Sequence, residues 1–415
     1  MLEKVKNSLN SQLYAISLYA RQIAGTVVLL LITRLLTVQD YGLFRSYGII
    51  AGFCFTFANL GYGDYILVSS KANVNQVKLK VSLFMLNAIG ILMLTLLGSL
   101  LFKLDSRFIF FLVAIRTFFD GTFFALILPY FQASKRFNTI AIINIIYALG
   151  IILIAILSFL FKLSLTKFLI LSIILGFINF IQCSYYINIS YKTVLLRIKD
   201  FIKLLDKTLW HYIAVQVACI LYLQIQPLFV ATYLTKRDAA IYFSAFTIAS
   251  IINLFIASLQ QKLLPELINL KVQEVKQKIQ RNIRLIYCAI MLIFLFFALF
   301  GKFILVLFYG KEYYANGYLI LLILTLSNLF TSTIWIYGSY ITSSGNQKKK
   351  ICFQSEAIIV AIITLFGLSR FGIYGAAVSY LITTIYLALR YWVYTNNLIK
   401  TNMQKENVDD NNKTT

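Results

Sequence analysis

The feature that most constrains this chain is a succession of apolar runs, each about as long as a helix that crosses a bilayer, with most charged residues held between them. A span of the hydrocarbon core takes roughly 20 apolar residues in α-helical form. Runs of that kind occupy 13–36, 41–68, 81–102, 108–131, 137–161 and 168–191. After a basic stretch they resume at 209–234, 239–264, 283–309, 317–342, 351–369 and 371–394. The division at Arg370-Phe371-Gly372 is the least distinct. Lipid offers the backbone no hydrogen-bond partner, so spanning segments of this length must be helices. Twelve runs therefore predict an all-α integral membrane protein of twelve transmembrane helices. Composition agrees: 13% of the residues are charged and 60% hydrophobic, where soluble domains carry about 25% charged residues.

The net charge of +23 would suit a nucleic-acid binder if it formed one exposed patch. Here the Lys and Arg residues cluster between apolar runs, so no nucleic-acid partner is expected; the partner is anionic lipid. The termini and the even-numbered loops hold most of the 38 basic residues. That side is expected to be cytoplasmic, with both termini inside. The densest inner stretches are 192–207, 262–284 and Lys348-Lys349-Lys350. The first run is too long for a signal-peptide core and carries Arg21 near its middle, so it reads as an uncleaved first helix. The 396–415 tail is polar and is expected to lie outside the fold as a disordered segment. Cys54, Cys183, Cys219, Cys288 and Cys352 all lie in apolar runs and form no CxxC pair, which points to core thiols.

One segment recurs. Leu36-Thr37-Val38-Gln39-Asp40-Tyr41-Gly42-Leu43-Phe44-Arg45-Ser46 is echoed by Leu234-Thr235-Lys236-Arg237-Asp238-Ala239-Ala240-Ile241-Tyr242-Phe243-Ser244, at an offset near half the chain. Each copy joins the first and second runs of a set of six. The expectation is a duplication: a lobe over 1–191, a basic linker over 192–208 and a second lobe over 209–395. Repeats of this kind place a substrate site where the lobes meet and permit alternating access.

Four stretches carry a family resemblance across 13–394. They are Thr33-Arg34-Leu35-Leu36 with Asp40-Tyr41-Gly42-Leu43-Phe44; Leu60-Gly61-Tyr62-Gly63; Leu307-Phe308-Tyr309-Gly310-Lys311-Glu312-Tyr313; and Phe371-Gly372-Ile373-Tyr374-Gly375-Ala376-Ala377-Val378-Ser379. Together they resemble the Wzx-type oligosaccharide flippases of the multidrug/oligosaccharidyl-lipid/polysaccharide exporter superfamily. The resemblance implies two six-helix bundles, related by a pseudo-two-fold axis, around a central cavity. It implies transfer of an undecaprenyl-pyrophosphate oligosaccharide, an O-antigen or capsular repeat unit, across the bacterial inner membrane. A polysaccharide polymerase and a chain-length regulator would be its protein partners. The sequence departs from the family in the seventh helix. Many members carry an acid there, and this chain has Gln224-Ile225-Gln226-Pro227.

A flippase must replace the water around a sugar and a diphosphate. Arg suits the diphosphate because its fork donates paired hydrogen bonds and keeps its charge. A charge within a spanning helix costs at least a few kcal/mol, so each one asks for a reason. Arg21, beside Gln22, is the foremost candidate for contact with phosphate or sugar; the alternative is a partner on another helix. Arg116 and Asp120 are four apart and share a helix face, either as a self-neutralising pair or as a cavity pair whose Arg is released to substrate. Asp64, Asp120 and Glu356 are candidates for ion coupling. Arg390, near an inner end, reads as snorkelling, and Arg34 and Arg45 as interfacial anchors. Gln216, Gln224, Gln226, Gln260 and Gln261 suit sugar hydroxyls and equally suit bonds between helices. His211, the only histidine, opens the seventh helix beside Trp210.

There is no Walker sequence, HExxH or GxSxG, so no catalytic centre, metal or cofactor is expected. A multidrug/cation antiporter of the same superfamily is a rival reading, and it would want an acidic site within a lobe. A polysaccharide polymerase, a polytopic enzyme, would want a sizeable outer loop. The outer loops here, such as 37–40 and 235–238, are a few residues long.

Overall fold

The computed structural model describes residues 2–59, 74–101, 104–134, 136–188, 207–268 and 272–414. The motif Leu60-Gly61-Tyr62-Gly63, the candidate Asp64 and the linker at 192–206 lie outside the described residues. So do the side chains of His211, Gln260 and Gln261.

Twelve long helices follow one another, and no strand occurs among the described residues. They are α1 (Leu2–Leu35), α2 (Val38–Asn59), α3 (Val74–Leu101), α4 (Arg107–Ala133), α5 (Phe137–Leu160) and α6 (Leu165–Ile187), then α7 (Lys207–Tyr233), α8 (Lys236–Ile268), α9 (Val272–Phe308), α10 (Lys311–Ser343), α11 (Gln347–Leu368) and α12 (Gly372–Thr414). Nine stretches among the described residues are long and apolar enough to cross a membrane, the last of them covering α11 and α12 together. The protein is an all-α membrane protein.

The helices overrun the apolar runs that announced them. α1 has 34 residues and α9 has 37, about 51 and 55 Å at the usual rise, against a hydrocarbon core of about 30 Å. The 262–284 stretch, read from charge as a loop, is largely the end of α8 and the start of α9. The polar tail expected to be disordered instead continues α12 as helix through Thr414. Both differences have one physical cause. Hydropathy marks where a helix meets lipid, whereas the hydrogen-bond ladder runs on through polar residues; the tail holds no glycine or proline, and α8 carries Pro265 and ends at Ile268.

The described residues fall into two compact units. One comprises Met1–Ile220 with Thr235–Ala240, the other Leu221–Leu234 with Ile241–Thr415. The division therefore passes through α7 rather than through the basic stretch before it. The first half of α7 sends Ile213 and Val217 into the core of the first unit, beside Val81 and Phe84 of α3, Phe123, Leu126 and Phe131 of α4, Ile140 and Ile143 of α5, and Cys183 of α6. In that unit α1 lies along α5, and α2 packs against α4 and α3.

The second unit is built around α10, which packs against α9 and α12, with α11 on α12. Two thirds of the apolar window of α10 is buried, against 22% for α9. α10 is also laced with Thr325, Ser327, Asn328, Thr331, Ser332 and Thr333, all buried. Their polar groups are used. Asn328 donates to the Ala249 carbonyl of α8 at 2.8 Å, and the Thr333 hydroxyl meets the Tyr287 hydroxyl of α9 at 2.6 Å. Such bonds join helices where lipid gives no hydrophobic drive for association. α9 turns the other way. Leu285, Leu292 and Leu299 recur every seventh residue and are exposed, Leu299 to 76%. That apolar face suits lipid.

The two repeated hairpins are capped alike. Thr37 and Thr235 each accept a hydrogen bond from the backbone N–H of Asp40 and Asp238 through their hydroxyls, at 3.2 and 3.1 Å. Each hydroxyl donates in turn to the Asp carboxylate, at 2.7 and 2.8 Å. An acid in the first turn also complements the helix dipole.

Two glycine motifs acquire reasons. Gly310, between α9 and α10, has φ +108, which a side chain would strain. Gly375 stands where a Cβ would lie 2.0 Å from the Leu368 carbonyl oxygen, on the backbone of the preceding helix. Gly375→Ala must therefore open the α11–α12 turn, at a cost of about 1–3 kcal/mol. Gly367 has nothing within 4 Å of such a Cβ. Thermal unfolding of the detergent-purified protein should show a clear drop in midpoint for Gly375→Ala and an unchanged or slightly raised one for Gly367→Ala. Equal midpoints for the two would contradict the packing described.

Candidate functional site

The first unit holds a charged cluster at the junction of α1, α4 and α5. Its centre is Arg21, 4% exposed and the one charged side chain in the fully buried class among the described residues. The guanidinium lies between two rings, its carbon 3.6 Å from the centroid of Phe123 and 3.8 Å from that of Tyr147, with Phe124 at 5.1 Å. Desolvated contacts of this kind stabilise a cation by about 2 kcal/mol. Nη1 of Arg21 donates to Asn144 Oδ1 at 3.3 Å, and Asn144 Nδ2 donates to Ser17 Oγ at 3.3 Å.

The nearest carboxylate is Asp120. Its Oδ1 is 3.8 Å from Nη2 of Arg21, and its Oδ2 is 3.9 Å from Nε of Arg116. Tyr147 donates its hydroxyl to Oδ1 at 2.5 Å. Two guanidinium groups and one carboxylate leave the cluster with one net positive charge. Three of its donors, Nε and Nη2 of Arg21 and Nε of Arg116, are buried and hold no hydrogen bond. Polar groups buried that way are costly, charged ones above all.

Local sequence explains the arrangement. Pro129 has no N–H to give to the helix, and the ladder just before it widens into a π-helical turn over Phe123–Ile127. Leu128 N–H reaches back five residues to the Phe123 carbonyl. Prolines and π-turns are the usual causes of such irregularity in a helix. The turn begins three residues after Asp120, and its first residue is the ring beneath Arg21. On α1, Ser17 and Arg21 are four apart; on α5, Asn144 and Tyr147 are three apart. Each pair shares a helix face.

The Arg116–Asp120 pairing expected from its spacing is present, and Arg21 shares it. Spacing alone gave no sign of Tyr147, Asn144 or Phe123, which come from other helices. The signal that was available was polar residues inside apolar runs, Asn144 above all. Gln22, beside Arg21 in sequence, is only half-buried.

The second unit separates the other candidates. Glu356 of α11 and Arg390 of α12, read apart in the sequence, form one closed pair: Nε to Oε2 at 2.8 Å and Nη2 to Oε1 at 2.9 Å. Tyr386 also donates to Oε2, at 2.9 Å. Arg390 therefore has a partner rather than only snorkelling. Gln226 is fully buried and donates from Nε2 to Ser379 and Thr383 of α12, at 3.3 Å each. Gln224 is half-buried, with its Oε1 holding no hydrogen bond. Gln216, in the first unit, is half-buried. No group of three or more His, Cys, Asp or Glu placed to hold a metal occurs among the described residues.

Several solved structures share the fold. The lipid II flippase MurJ, in an inward closed conformation, matches with a TM-score of 0.69 at 16% identity, over 92% of this chain and 87% of that one. An inward-facing multidrug resistance MATE family transporter of the MOP superfamily gives 0.66 at 11%, over 92% and 96%. A MOP superfamily transporter from Pyrococcus furiosus gives 0.64 at 13%, over 96% of each chain. Identities this low speak for the fold alone. No curated protein matches by sequence. Residues 9–271, well over half of the chain, match the family model for polysaccharide biosynthesis proteins, and the chain belongs to that family.

Proposed function

We propose that the protein is a flippase that carries an undecaprenyl-pyrophosphate-linked oligosaccharide, an O-antigen or capsular repeat unit, from the cytoplasmic to the outer leaflet by alternating access. The observation that carries this reading is Arg21, a fully buried guanidinium with two nitrogens that hold no hydrogen bond. A buried cation whose nearest carboxylate stands off by 3.8 Å is a poor structural device, because a buried charge needs close pairing to offset its desolvation. The same arrangement suits a ligand rich in anionic oxygens. A diphosphate supplies acceptors for all three free donors of the cluster, and the guanidinium fork matches its geometry. The family membership and the shared fold of a lipid II flippase support a lipid-linked substrate.

The antiporter reading fits less well. It asks for a buried acid, whereas the fully buried charge among the described residues is a cation. The polymerase reading asks for a domain between helices, and the α5–α6 and α11–α12 connections span only 161–164 and 369–371. With no nucleotide-binding sequence, transport runs on an ion gradient, on the substrate gradient or on removal of product by a polymerase with its chain-length regulator on the outer side. Of the two acids considered for ion coupling that lie among the described residues, Glu356 is held by Arg390, and Asp120 in the cluster is the better placed.

The site of action is the bacterial inner membrane, with both termini in the cytoplasm. Reporter fusions at Asp105 should read outside and at Gly345 inside; the reverse pattern would overturn the orientation.

The reading of the site is tested by polymer display in a flippase-deficient strain. Arg21→Ala should lower display at least about ten-fold at unchanged protein abundance, one lost charge-assisted bidentate contact being worth about 1.5–3 kcal/mol. Arg21→Lys keeps the charge without the fork and should restore display in part. Full display by Arg21→Ala at normal abundance would sink the assignment.

A further inference from the structure

Asp120 is not placed as a salt-bridge partner that closes its pair. The protein contains a closed pair for comparison: Arg390 and Glu356 meet through two hydrogen bonds at 2.8 and 2.9 Å, the usual range for a charge-assisted contact. Asp120 stands about 1 Å further from each of its two arginines. Each carboxylate oxygen faces one guanidinium, Oδ1 towards Arg21 and Oδ2 towards Arg116, so the group bridges two cations without binding either closely. Tyr147 alone holds it by a short hydrogen bond. Its side chain is also the most open of the three charged groups, 35% exposed against 3% for Arg21 and 16% for Arg116.

From this geometry we infer that Asp120 holds the place of the anionic ligand, and that a diphosphate must displace it to reach Arg21 and Arg116. The inference rests on the reading of Arg21 as the diphosphate ligand and adds how that site is emptied and filled. The charges agree with an exchange. With the carboxylate in place the two arginines carry one net positive charge. With it withdrawn they carry two, which matches the two charges of a diphosphate diester. The exposure agrees as well, because the group that must leave is the least buried of the three. Its return supplies the competing anion that releases the headgroup, so a single carboxylate limits affinity and permits turnover. Binding a charged group and letting it go again is the problem that any transporter of a diphosphate must solve, and a site of two arginines alone would hold its cargo too tightly.

A competing anion and a structural anchor predict opposite results when Asp120 is neutralised. The full chain, reconstituted in phosphatidylcholine nanodiscs, is titrated calorimetrically with inorganic pyrophosphate. Asp120→Asn should bind it about ten-fold more tightly than the unaltered protein, the effect of one partly screened charge at this distance. Asp120→Glu keeps the competing charge and should stay within about three-fold. In cells Asp120→Asn should lower polymer display several-fold at normal abundance, so that binding and transport move in opposite directions. An Asp120→Asn protein that binds pyrophosphate no more tightly than the unaltered one, with Asp120→Glu the same, would overturn the inference while leaving the Arg21 reading intact. Arg21→Ala binding pyrophosphate as well as the unaltered protein would overturn the Arg21 reading itself.

Discussion

Hydrocarbon accepts no hydrogen bonds, and most of what distinguishes this structure follows from that. Each segment that enters the membrane must satisfy its own backbone, so the described residues run as helix after helix. Lipid is as apolar as leucine, so burying apolar area between helices gains little, and polar residues take over the joining. α10 shows how: its buried Asn328 and Thr333 reach α8 and α9 through hydrogen bonds of 2.8 and 2.6 Å. α9 shows the converse, with a row of leucines left on its outer face.

The same solvent gives each charge a diagnostic value. In water a partly open ion pair contributes little either way. In a membrane protein a buried guanidinium that is not closely paired is a standing cost, which other contacts have to offset. The rings of Phe123 and Tyr147 offset part of it. The Asn144–Ser17 relay satisfies one nitrogen. The remainder, two buried nitrogens without a hydrogen bond, is the observation on which the proposed role of Arg21 as a ligand site rests. Arg390, with Glu356 bonded to it twice, carries no such remainder.

The sequence displayed its helices well and its sites poorly, for physical reasons that particular residues make plain. Apolar length is a local property, and it placed twelve helices with their order and type. Helix ends are not marked by hydropathy, so α1, α9 and α12 extend past their apolar runs. The family motifs Tyr309-Gly310 and Phe371 to Ser379 were legible as strings, but only the backbone revealed that Gly310 needs a positive φ and that Gly375 lies against Leu368. The Arg116–Asp120 pair was readable because both residues sit on one helix. The Arg21–Asn144 and Glu356–Arg390 contacts join residues far apart in sequence, and no spacing rule reaches across that gap.

The proline in α4 ties these levels together. Pro129 removes one donor from a helix that has no water to replace it, and the ladder answers with a π-turn instead of a break. A π-turn advances the helix by an extra residue, so the side chains before it and after it no longer keep the register of a regular helix. Arg116 and Asp120 lie before the turn and Phe123 at its start. Asp120 bridges two arginines from the regular helix before the turn, and the Phe123 ring that opens the turn lies under Arg21. A turn of this kind is held by fewer well-formed hydrogen bonds than the helix on either side. Pro129 thus sets the irregular turn of α4 directly after the face on which the exchange of partners is proposed.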